Sequence, residues 1–362
     1  MANKNCEGIL EILPEGNGFL RNPANNFRPG PDDIYVPAHL IRKCSLRDGV
    51  HIAGKTGKPP RPGQRPPLAK IDAINGLSPA QYGKIPEMKA FTSIDPESRM
   101  TMTRDPKDLT GRFIDLFTPI GKGQRGMIIS PPKAGKTTIL KHIAKAVLQN
   151  HPEVQVMVLL IDERPEEVTD FRRDLPGAEV FHSSSDMDVE NHLRITALTM
   201  NMATRRMECG ADVLVLIDSL TRMGRAFNKD SDSGGKTLSG GLSANALELP
   251  RRFFGAARNL EHGGSLTIMA TILVDTGSRM DEVIFQEFKG TGNLDLALSR
   301  ECADRRLFPA INIRESGTRK EHKLLPEKML DQSNMLRRKT AGMNPPEALQ
   351  YLLEHLPMEL QG

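Results

Sequence analysis

A candidate phosphate-binding loop is the strongest chemical signal in the chain. Residues 130–138 read Ser-Pro-Pro-Lys-Ala-Gly-Lys-Thr-Thr, between the apolar run Met127–Ile129 and an apolar stripe at helical spacing. In such a loop, backbone N–H groups at a helix N-terminus surround a phosphate. Lys136 would reach the outer phosphates and the Thr137 hydroxyl would ligate Mg²⁺. Ser130 stands where the motif has its first glycine, and the alternative interpretation is a turn that caps a helix.

Carboxylates follow two apolar runs further along the chain. Val156–Ile161 leads into Asp162 and Glu163, and the run 213–217 leads into Asp218. Ligands of parallel sheets gather at the carboxyl ends of the strands. We therefore expect Glu163 to orient an attacking water and Asp218 to contact Mg²⁺, directly or through water. The alternative for Asp162 or Glu163 is a simple cap at the end of a strand.

An arginine near the C-terminus lies in a loop-like segment. Arg319 belongs to residues 313–320, which read Ile-Arg-Glu-Ser-Gly-Thr-Arg-Lys. Such an arginine is usually a solvated surface group. In an oligomeric nucleotide hydrolase it would instead project into a neighbour's site and stabilise charge on the transferring phosphoryl group. The residues alone leave both interpretations open.

The pattern from residue 113 onwards is typical of an α/β fold with a mainly parallel sheet. Apolar runs alternate there with stretches of helical periodicity. The buried runs predict strands at 127–129, 156–161, 213–217 and 266–274. The periodicity predicts helices over 136–150, 187–208, 244–262 and 327–357, the last one interrupted near Asn344.

The first ninety residues have a different pattern. Five short apolar segments separated by turn signals predict a small β-barrel over residues 1–90. Residues 91–112 are predicted to be a connector, because Asp-Pro pairs at 95–96 and 105–106 break helices. The α/β domain is then predicted to cover 113–362.

A basic segment lies within the predicted barrel. Residues 42–70 contain eight Lys or Arg and one acid, and Pro and Gly between Gly54 and Pro67 predict a long loop. Such a block is either a solvated face or a surface for nucleic acid, because phosphate backbones favour clustered cations.

Composition narrows the class of protein. Of the 362 residues, 38% are hydrophobic and 26% charged, and the longest apolar run has six residues where a membrane span needs about twenty. We therefore expect no membrane partner, and no export leader is recognisable. Four cysteines without a C-x-x-C pair argue against disulfides and zinc, and favour the cytoplasm.

Several segments together resemble the bacterial transcription termination factor Rho family, ring-shaped hexameric RNA-dependent ATPases of the RecA-like class. The resemblance covers about residues 8–323 and is densest at 119–126, 131–137, 160–168, 252–259, 288–293 and 316–320. It implies a RecA-like P-loop ATPase core preceded by a small OB-fold or cold-shock-like barrel. It also implies a homohexamer around RNA, with ATP and Mg²⁺ at the subunit interfaces.

The resemblance also implies roles for individual residues. Glu163 would activate water, Asp218 would serve Mg²⁺, Arg319 would act in trans as an arginine finger, and Arg306 would assist it. Arg164 would lie close to the nucleotide, and Phe308 would stack on adenine. The residues expected to contact nucleotide are Gly121, Lys122, Gly123, Gln124, Arg125, Gly126, Lys133, Ala134, Gly135, Lys136, Thr137 and Thr138.

Two RNA sites follow from the same resemblance. In the barrel, Phe19 and Tyr35 would stack bases while Arg21 and Arg65 meet phosphates or base edges. Two stacking positions depart from the family, since Asn17 and Pro66 replace typical aromatics. The central-channel loops would contribute the cations Lys236 and Arg279. On sequence alone both are ordinary surface cations, and the family usually has Lys where this chain has Arg279.

These expectations predict an ATP-driven motor on single-stranded nascent RNA. It would pull RNA 5′ to 3′ through a ring and release it from the RNA polymerase elongation complex. One alternative is a rotary ATP synthase-type subunit, which shares the Pro-Ile-Gly-x-Gly-Gln-Arg stretch at 119–125. A second is a non-catalytic RNA-binding protein, against which the complete set of candidate catalytic residues argues.

Overall fold

The described part of the chain divides into two compact units. The computed structural model describes residues 4–59, 61, 64–231, 241–243 and 246–356. The first unit contains residues 1–92, 193–211 and 260–264, and the second contains 93–192, 212–259 and 265–362.

The first unit contains a five-stranded antiparallel sheet in the order β3-β2-β1-β4-β5. The five strands predicted from the sequence are all present. Their bounds are β1 (Asn5–Ile12), β2 (Gly18–Arg21), β3 (Ile34–Val36), β4 (His51–Thr56) and β5 (Leu68–Ile74). Two short helices accompany them, α1 (Ala38–Lys43) and α2 (Pro79–Tyr82).

The sheet of the first unit curls towards closure as a barrel. Tyr35 in β3 forms an isolated parallel bridge with Pro67, just before β5, and its N–H donates to the carbonyl of Pro66 at 3.1 Å. The interior is apolar, as alternation along the strands requires. Its fully buried side chains include Leu10, Val50, Ile52 and Ile74.

A later segment of the chain completes the first unit through buried ion pairs. Arg194 binds the Glu11 carboxylate of β1 and donates to the carbonyl of Phe27 at 2.7 Å. The buried Glu208 carboxylate lies 2.9 Å from Arg47 Nη1. Buried carboxylates need such partners, because an isolated charge away from water is costly. Residues 193–211 are therefore an integral part of this unit.

The second unit is built on a mostly parallel sheet in the order β11-β10-β12-β14-β9-β15-β16, with β16 antiparallel to β15. The predicted buried strands are present. Their bounds are β9 (Arg125–Ser130), β10 (Gln155–Glu163), β11 (Glu179–Ser184), β12 (Asp212–Asp218), β14 (Ser265–Leu273), β15 (Leu294–Ala297) and β16 (Gly317–Thr318). Shorter strands are β6 (Ser93–Ile94), β7 (Arg99–Met100), β8 (Ile120–Gly121) and β13 (Arg258–Leu260).

Helices cover both faces of this sheet. Leu214 and Leu216 of β12 share a core with α4, so the alternate residues of β12 face the side on which α7 packs. The helices of this unit are α3 (Leu109–Phe117), α4 (Lys136–Asn150), α5 (Pro165–Asp174), α7 (Leu220–Ser231), α8 (Glu248–Phe254), α9 (Arg279–Lys289), α10 (Arg300–Asp304), α11 (Glu327–Thr340) and α12 (Pro345–His355). Most of α6 (Val189–Glu208) belongs to the first unit. Within the described ranges, no helix is long and apolar enough to cross a membrane.

One predicted helix is wrong at both ends. The sequence predicts a helix over 244–262, but α8 covers only Glu248–Phe254 within that range. Gly255 ends the helix, and the chain then forms β13, in which Arg258 pairs with Leu266 of β14. Backbone pairing with β14 outweighs the local helical pattern here.

Asp108 joins α3 to α4. It caps α3 by accepting from the Gly111 N–H at 3.0 Å, and its carboxylate lies 2.8 Å from His142 Nε2 on α4. Burial alone would raise the pKa of this carboxyl. Hydrogen bonds from His142, Gly111 and Arg104 outweigh that effect and hold its pKa far below the usual range.

We predict that Asp108→Asn destabilises the protein by about 1–3 kcal/mol at pH 7, because a charge-assisted cap and a buried pair are weakened. The lowered pKa of Asp108 stabilises the fold above the unfolded-state pKa, and this contribution is lost as pH falls below about 4. Urea unfolding at pH 7 and at about pH 2.5 measures both effects, because the second pH lies between the unfolded-state and the folded-state pKa. Asp331→Asn, at an exposed position on α11, is the control, and equal midpoints for the two variants would contradict the prediction.

Candidate functional site

The candidate phosphate loop joins β9 to α4 with the backbone that the motif requires. Gly135 precedes the helix at φ 101°, a conformation that favours glycine, and Lys136 is the first residue of α4. Ser130 is the buried last residue of β9 and belongs to the extended strand. The position therefore needs no glycine, which accounts for the departure from the motif.

Lys136 and Asp218 form the centre of the site. Lys136 Nζ lies 2.7 and 2.6 Å from the two carboxylate oxygens of Asp218. Asp218 is fully buried at the end of β12, and the Thr271 hydroxyl of β14 donates to its Oδ1 at 2.7 Å. Two neighbouring strands thus fix this carboxylate against the loop.

Glu163 is a buried carboxyl group at the end of β10. Arg222 Nη2 lies 3.3 Å from its Oε1, yet neither oxygen accepts a well-directed hydrogen bond from a described residue. Burial, followed by the negative charge of Asp218, raises the pKa of Glu163 to about 7, against the opposing effect of Arg222 and Lys136. A carboxylate with this pKa and free acceptor capacity can orient a water and take its proton near neutral pH.

The donor set fits a nucleotide with Mg²⁺. The Thr137 hydroxyl and the Asp218 carboxylate supply the oxygen ligands that Mg²⁺ prefers. The ammonium of Lys136 already lies against Asp218, which shows that this position accommodates a cation. Lys133 is exposed on the loop and Thr138 is exposed in the first turn of α4, whereas Ala134 of the loop is buried.

Other predicted nucleotide contacts lie at the same edge of the sheet. Arg164 is exposed directly after β10, and Arg306 is exposed in the turn that follows α10. Phe308 is 49% exposed and lines a cavity of about 350 Å³ together with residues 104–105, 107–110 and Pro309. Arg300 of α10 ties this region to the phosphate loop by donating to the Pro132 carbonyl at 2.8 Å. Adenine stacking on Phe308 stays a prediction.

Residues 121–126 and Arg319 lie at the opposite edge of the sheet. Gly126 is near the start of β9, while the phosphate loop follows its end. The Arg319 N–H donates at 2.9 Å to the carbonyl of Asn293, which directly precedes β15. A strand rises about 3.3 Å per residue, so the length of β9 separates these residues from the loop of their own chain.

The predicted barrel site is an open apolar cavity of about 700 Å³. Phe19 and Tyr35 line it with ring centres 5.7 Å apart, and the exposed Arg65 lies 4.7 Å from the Phe19 ring centre. Further lining residues are Pro37, His39, Leu40, Gln64, Pro67, Leu68 and Ala69.

Arg21 lies beneath the Phe19 ring and is 5% exposed, and both Glu11 and Asp33 bind its guanidinium. Because two carboxylates already neutralise this cation, the structure disfavours a phosphate contact by Arg21. Contact of Arg21 with a base edge stays a prediction. Of the two cations predicted to line a channel, Arg279 is exposed at the start of α9, and Lys236 lies outside the described residues.

Sequence reasoning gave no role to two residues of the site. Thr271 binds Asp218, and the guanidinium of Arg222 donates to the carbonyl of Asp162 and approaches Glu163. The sequence contains a feature that could have drawn attention to each of these two residues. Thr271 is a polar residue within an apolar strand, and Arg222 lies one helical turn after Asp218.

The fold and this site define a P-loop nucleotide-binding ATPase. Residues 111–318 match the model of the ATP synthase alpha/beta family, nucleotide-binding domain. A prototypical ATPase of a type III secretion system from pathogenic bacteria has this fold, at TM-score 0.62 and 22% identity over 81% of this chain and 82% of that one. The ATP synthase subunit NeqB of Nanoarcheaum equitans aligns at TM-score 0.61 and 18% identity, over 75% of this chain and 67% of that one.

Relatives of higher sequence identity show to which family the chain belongs. Residues 6–80 match the Rho termination factor RNA-binding domain. The chain is 49% identical to the transcription termination factor Rho of Pseudomonas aeruginosa and 48% identical to that of Haemophilus influenzae, in both cases over 97% of this chain and 84% of the relative. Rho of Aquifex aeolicus is 47% identical over 97% and 81%. The chain belongs to the Rho transcription termination factor family, an assignment favoured over the rotary ATP synthase alternative.

We predict that Glu163→Gln stabilises the nucleotide-free protein at pH 8 by about 1–3 kcal/mol and has little effect at pH 5. Because folding raises the pKa of Glu163 from 4.5 to about 7, the free energy of unfolding of the wild type falls as pH rises between these two values and levels off above them. The neutral amide has no such pH dependence.

Urea unfolding at the two pH values measures this difference. Glu166→Gln, an exposed glutamate on α5, is the matched control and should show no such pH dependence. A Glu163→Gln effect that is equal at pH 5 and pH 8 would contradict the raised pKa.

Proposed function

We propose that this protein is an RNA-dependent ATPase that works as a transcription termination factor. The observation that carries the proposal is the convergence of Lys136, Asp218 and Glu163 at one edge of a parallel sheet, in a chain that also has an RNA-binding barrel. The relatives named transcription termination factor Rho, at 46–49% identity, support the biological role.

In the proposed ATPase mechanism, each charged group has a separate task. Lys136 exchanges its contact with Asp218 for the outer phosphates of ATP, and the loop N–H groups hold those phosphates. Glu163 orients the attacking water and accepts its proton, for which its raised pKa suits it. Bound Mg²⁺, held by Thr137 and Asp218, would neutralise charge on the phosphates.

We propose that nucleotide lies between neighbouring subunits of a homohexameric ring. Arg319 and residues 121–126 lie at the sheet edge away from the phosphate loop of their own chain. A second copy would therefore have to supply them to a nucleotide held by Lys136. Arg319 would then stabilise charge on the transferring phosphoryl group, with Arg306 as a second cation.

RNA binding to the barrel would combine ring stacking with cation contacts. Phe19 and Tyr35 present rings to the open cavity, and Arg65 is exposed beside them. Pro66 is half-buried and offers no ring, and Asn17 likewise cannot stack a base. Stacking contributes about 1–3 kcal/mol per base, so we propose that phosphate contacts by the basic segment 42–70 carry a larger share of affinity here.

The proposed motor draws nascent single-stranded RNA 5′ to 3′ through the ring and releases it from the RNA polymerase elongation complex. Arg279, exposed at the start of α9, would contact RNA in the channel. Lys236 is proposed for the same role from the sequence. Because nascent RNA is the substrate, the proposed location is the cytoplasm.

We predict that a long, unstructured C-rich RNA increases ATP hydrolysis at least about tenfold and that Lys136→Ala abolishes hydrolysis, because the loop loses its phosphate-binding charge. Phosphate release with and without RNA is the measurement. Lys145→Ala, on the same helix but paired with Asp174 at its surface, is the matched control and should remain active. Hydrolysis that is independent of RNA would contradict the proposal and favour a rotary-type ATPase.

A mixing experiment tests whether Arg319 acts in trans. We predict that Arg319→Ala inhibits wild type beyond simple dilution in mixed rings, because each variant subunit also disables its neighbour's site. Hydrolysis is measured across mixing ratios at constant total protein. Arg314→Ala, an exposed arginine in the same loop, is the control, and a linear loss of activity with Arg319→Ala would rule out a role in trans.

A further inference from the structure

Helix α7 begins at the candidate ATPase site and is bonded there to two strands. It starts two residues after the buried Asp218, which ends β12. In its first turn, Arg222 Nη2 lies 3.3 Å from Oε1 of Glu163 at the end of β10. The Thr221 hydroxyl accepts from the N–H of Leu273, the last residue of β14, at 2.8 Å. This end of α7 is therefore fixed to β10 and β14, the two neighbours of β12.

The next turn of α7 holds a buried carboxylate of α9. Arg225 lies three residues after Arg222, so the two arginines share one face of the helix. Arg225 donates from Nε to Oδ1 of Asp281 at 2.8 Å and from Nη2 to Oδ2 at 2.6 Å. Asp281 is 1% exposed, and this paired geometry is the strong form of an arginine–carboxylate contact. The pair therefore attaches the start of α9 to α7.

Asp281 also orders the loop that leads to Arg279. The Thr276 hydroxyl donates to Asp281 Oδ2 at 2.7 Å and accepts from the N–H of Ser278 at 3.2 Å. Ser278 is the N-cap of α9, and its hydroxyl accepts from the N–H of Asp281 at 3.4 Å. Arg279, the first residue of α9, lies between these contacts and is exposed. The backbone around this cation is thus held by the same carboxylate that Arg225 binds.

The two helices also pack closely beside this ion pair. A Cβ atom added to Gly224 of α7 would lie 3.0 Å from Cδ1 of Ile284 on α9, which is tighter than nearly all side-chain contacts. Ile284 is fully buried at this contact. Because packed interiors have little free space, movement of α9 relative to α7 is restricted by packing as well as by the ion pair.

We infer that Arg225 and Asp281 are positioning residues that couple RNA contact at Arg279 to the water-activating group Glu163. The inference rests on the function proposed above and adds the route by which RNA would control hydrolysis. A phosphate that binds Arg279 acts on the start of α9, where Asp281 is attached to α7. One helical turn away, Arg222 approaches Glu163, whose oxygens accept no well-directed hydrogen bond from a described residue. A small movement of α7 therefore changes the charge that this carboxyl group experiences.

Rates of ATP hydrolysis by the full-length protein, with and without the long C-rich RNA, test this coupling. We expect Arg225→Gln to keep basal hydrolysis within about twofold and to reduce RNA stimulation from at least about tenfold to less than about threefold. The half-saturating RNA concentration should change less than the maximal rate, because Arg279 and the barrel are intact. Arg225→Lys should be intermediate, because it keeps the charge without the paired donors.

A double-substitution cycle shows whether the contact itself is responsible. Asp281→Asn should lose stimulation as Arg225→Gln does, and the double variant should lose no more than either single variant, because all three lack the same contact. The milder Thr276→Val keeps the ion pair but removes the hydroxyl bond to Asp281, so it should lose part of the stimulation. Thr276→Ser, which keeps the hydroxyl, should retain it.

The matched control is a second ion pair on α9. Arg251 of α8 binds Glu287 of α9 at 2.8 Å, and its side chain is 44% exposed, as is that of Arg225. This pair is not attached to α7, so Arg251→Gln should keep full RNA stimulation. Urea unfolding of each variant shows whether the fold is retained.

Three results would overturn the inference while leaving the proposed function in place. They are full RNA stimulation in Arg225→Gln and Asp281→Asn, a loss of basal hydrolysis as large as the loss of stimulated hydrolysis, and additive losses in the double variant. The second result would indicate a structural role alone, and the third would show that the two residues act separately. An absence of RNA stimulation in the wild type would instead overturn the proposed function, and this inference with it.

Discussion

The contact between Lys136 and Asp218 is the interaction on which the ATPase unit depends. It joins a loop that follows one strand to the end of another, across the intervening β14, whose Thr271 fixes the same carboxylate. Parallel strands make this possible, because all their carboxyl ends meet at one edge. The ion pair between Lys136 and Asp218 thus orders the phosphate loop, and a bound anion must displace Asp218 from Lys136.

The same edge includes a carboxyl group that the fold does not satisfy. Glu163 is fully buried beside Asp218, and its oxygens accept no well-directed hydrogen bond from the described residues. A buried carboxylate with a purely structural role normally accepts hydrogen bonds, because unsatisfied buried polar groups reduce stability. Such a cost at a site of chemistry is typical of groups whose protonation belongs to the reaction.

Much of this architecture could be predicted from the sequence, because its signals are local. Apolar runs of strand length predicted the buried strands. The predicted helix interruption near Asn344 is the boundary between α11 and α12, where Asn344 caps α12. The phosphate loop and the two acids at strand ends also follow from short-range patterns. The helical periodicity around α8 gave a wrong prediction because Arg258 pairs with Leu266 of β14, a contact that depends on tertiary structure.

The remaining features depend on contacts between residues distant in sequence. Arg21 looks like any exposed cation of an RNA site, and only the fold shows that Glu11 and Asp33 bind it. Local composition likewise does not indicate that residues 193–211 belong to the first unit. The contact of Arg222 with Glu163 is also one that the sequence does not indicate, because the two residues are 59 positions apart in the chain.

The position of Arg65 over the Phe19 ring would make the proposed base stacking an exchange reaction. The guanidinium lies 4.7 Å from the ring centre and donates to the Gly30 carbonyl at 3.1 Å. A base that takes this face of the ring must displace a cation–π contact of about 0.5–1 kcal/mol, against about 1–3 kcal/mol gained by stacking. The displaced cation is then released beside the incoming strand. Stacking and charge neutralisation at this cavity would therefore be coupled, because the guanidinium released from the ring can then pair with a phosphate of the same ligand.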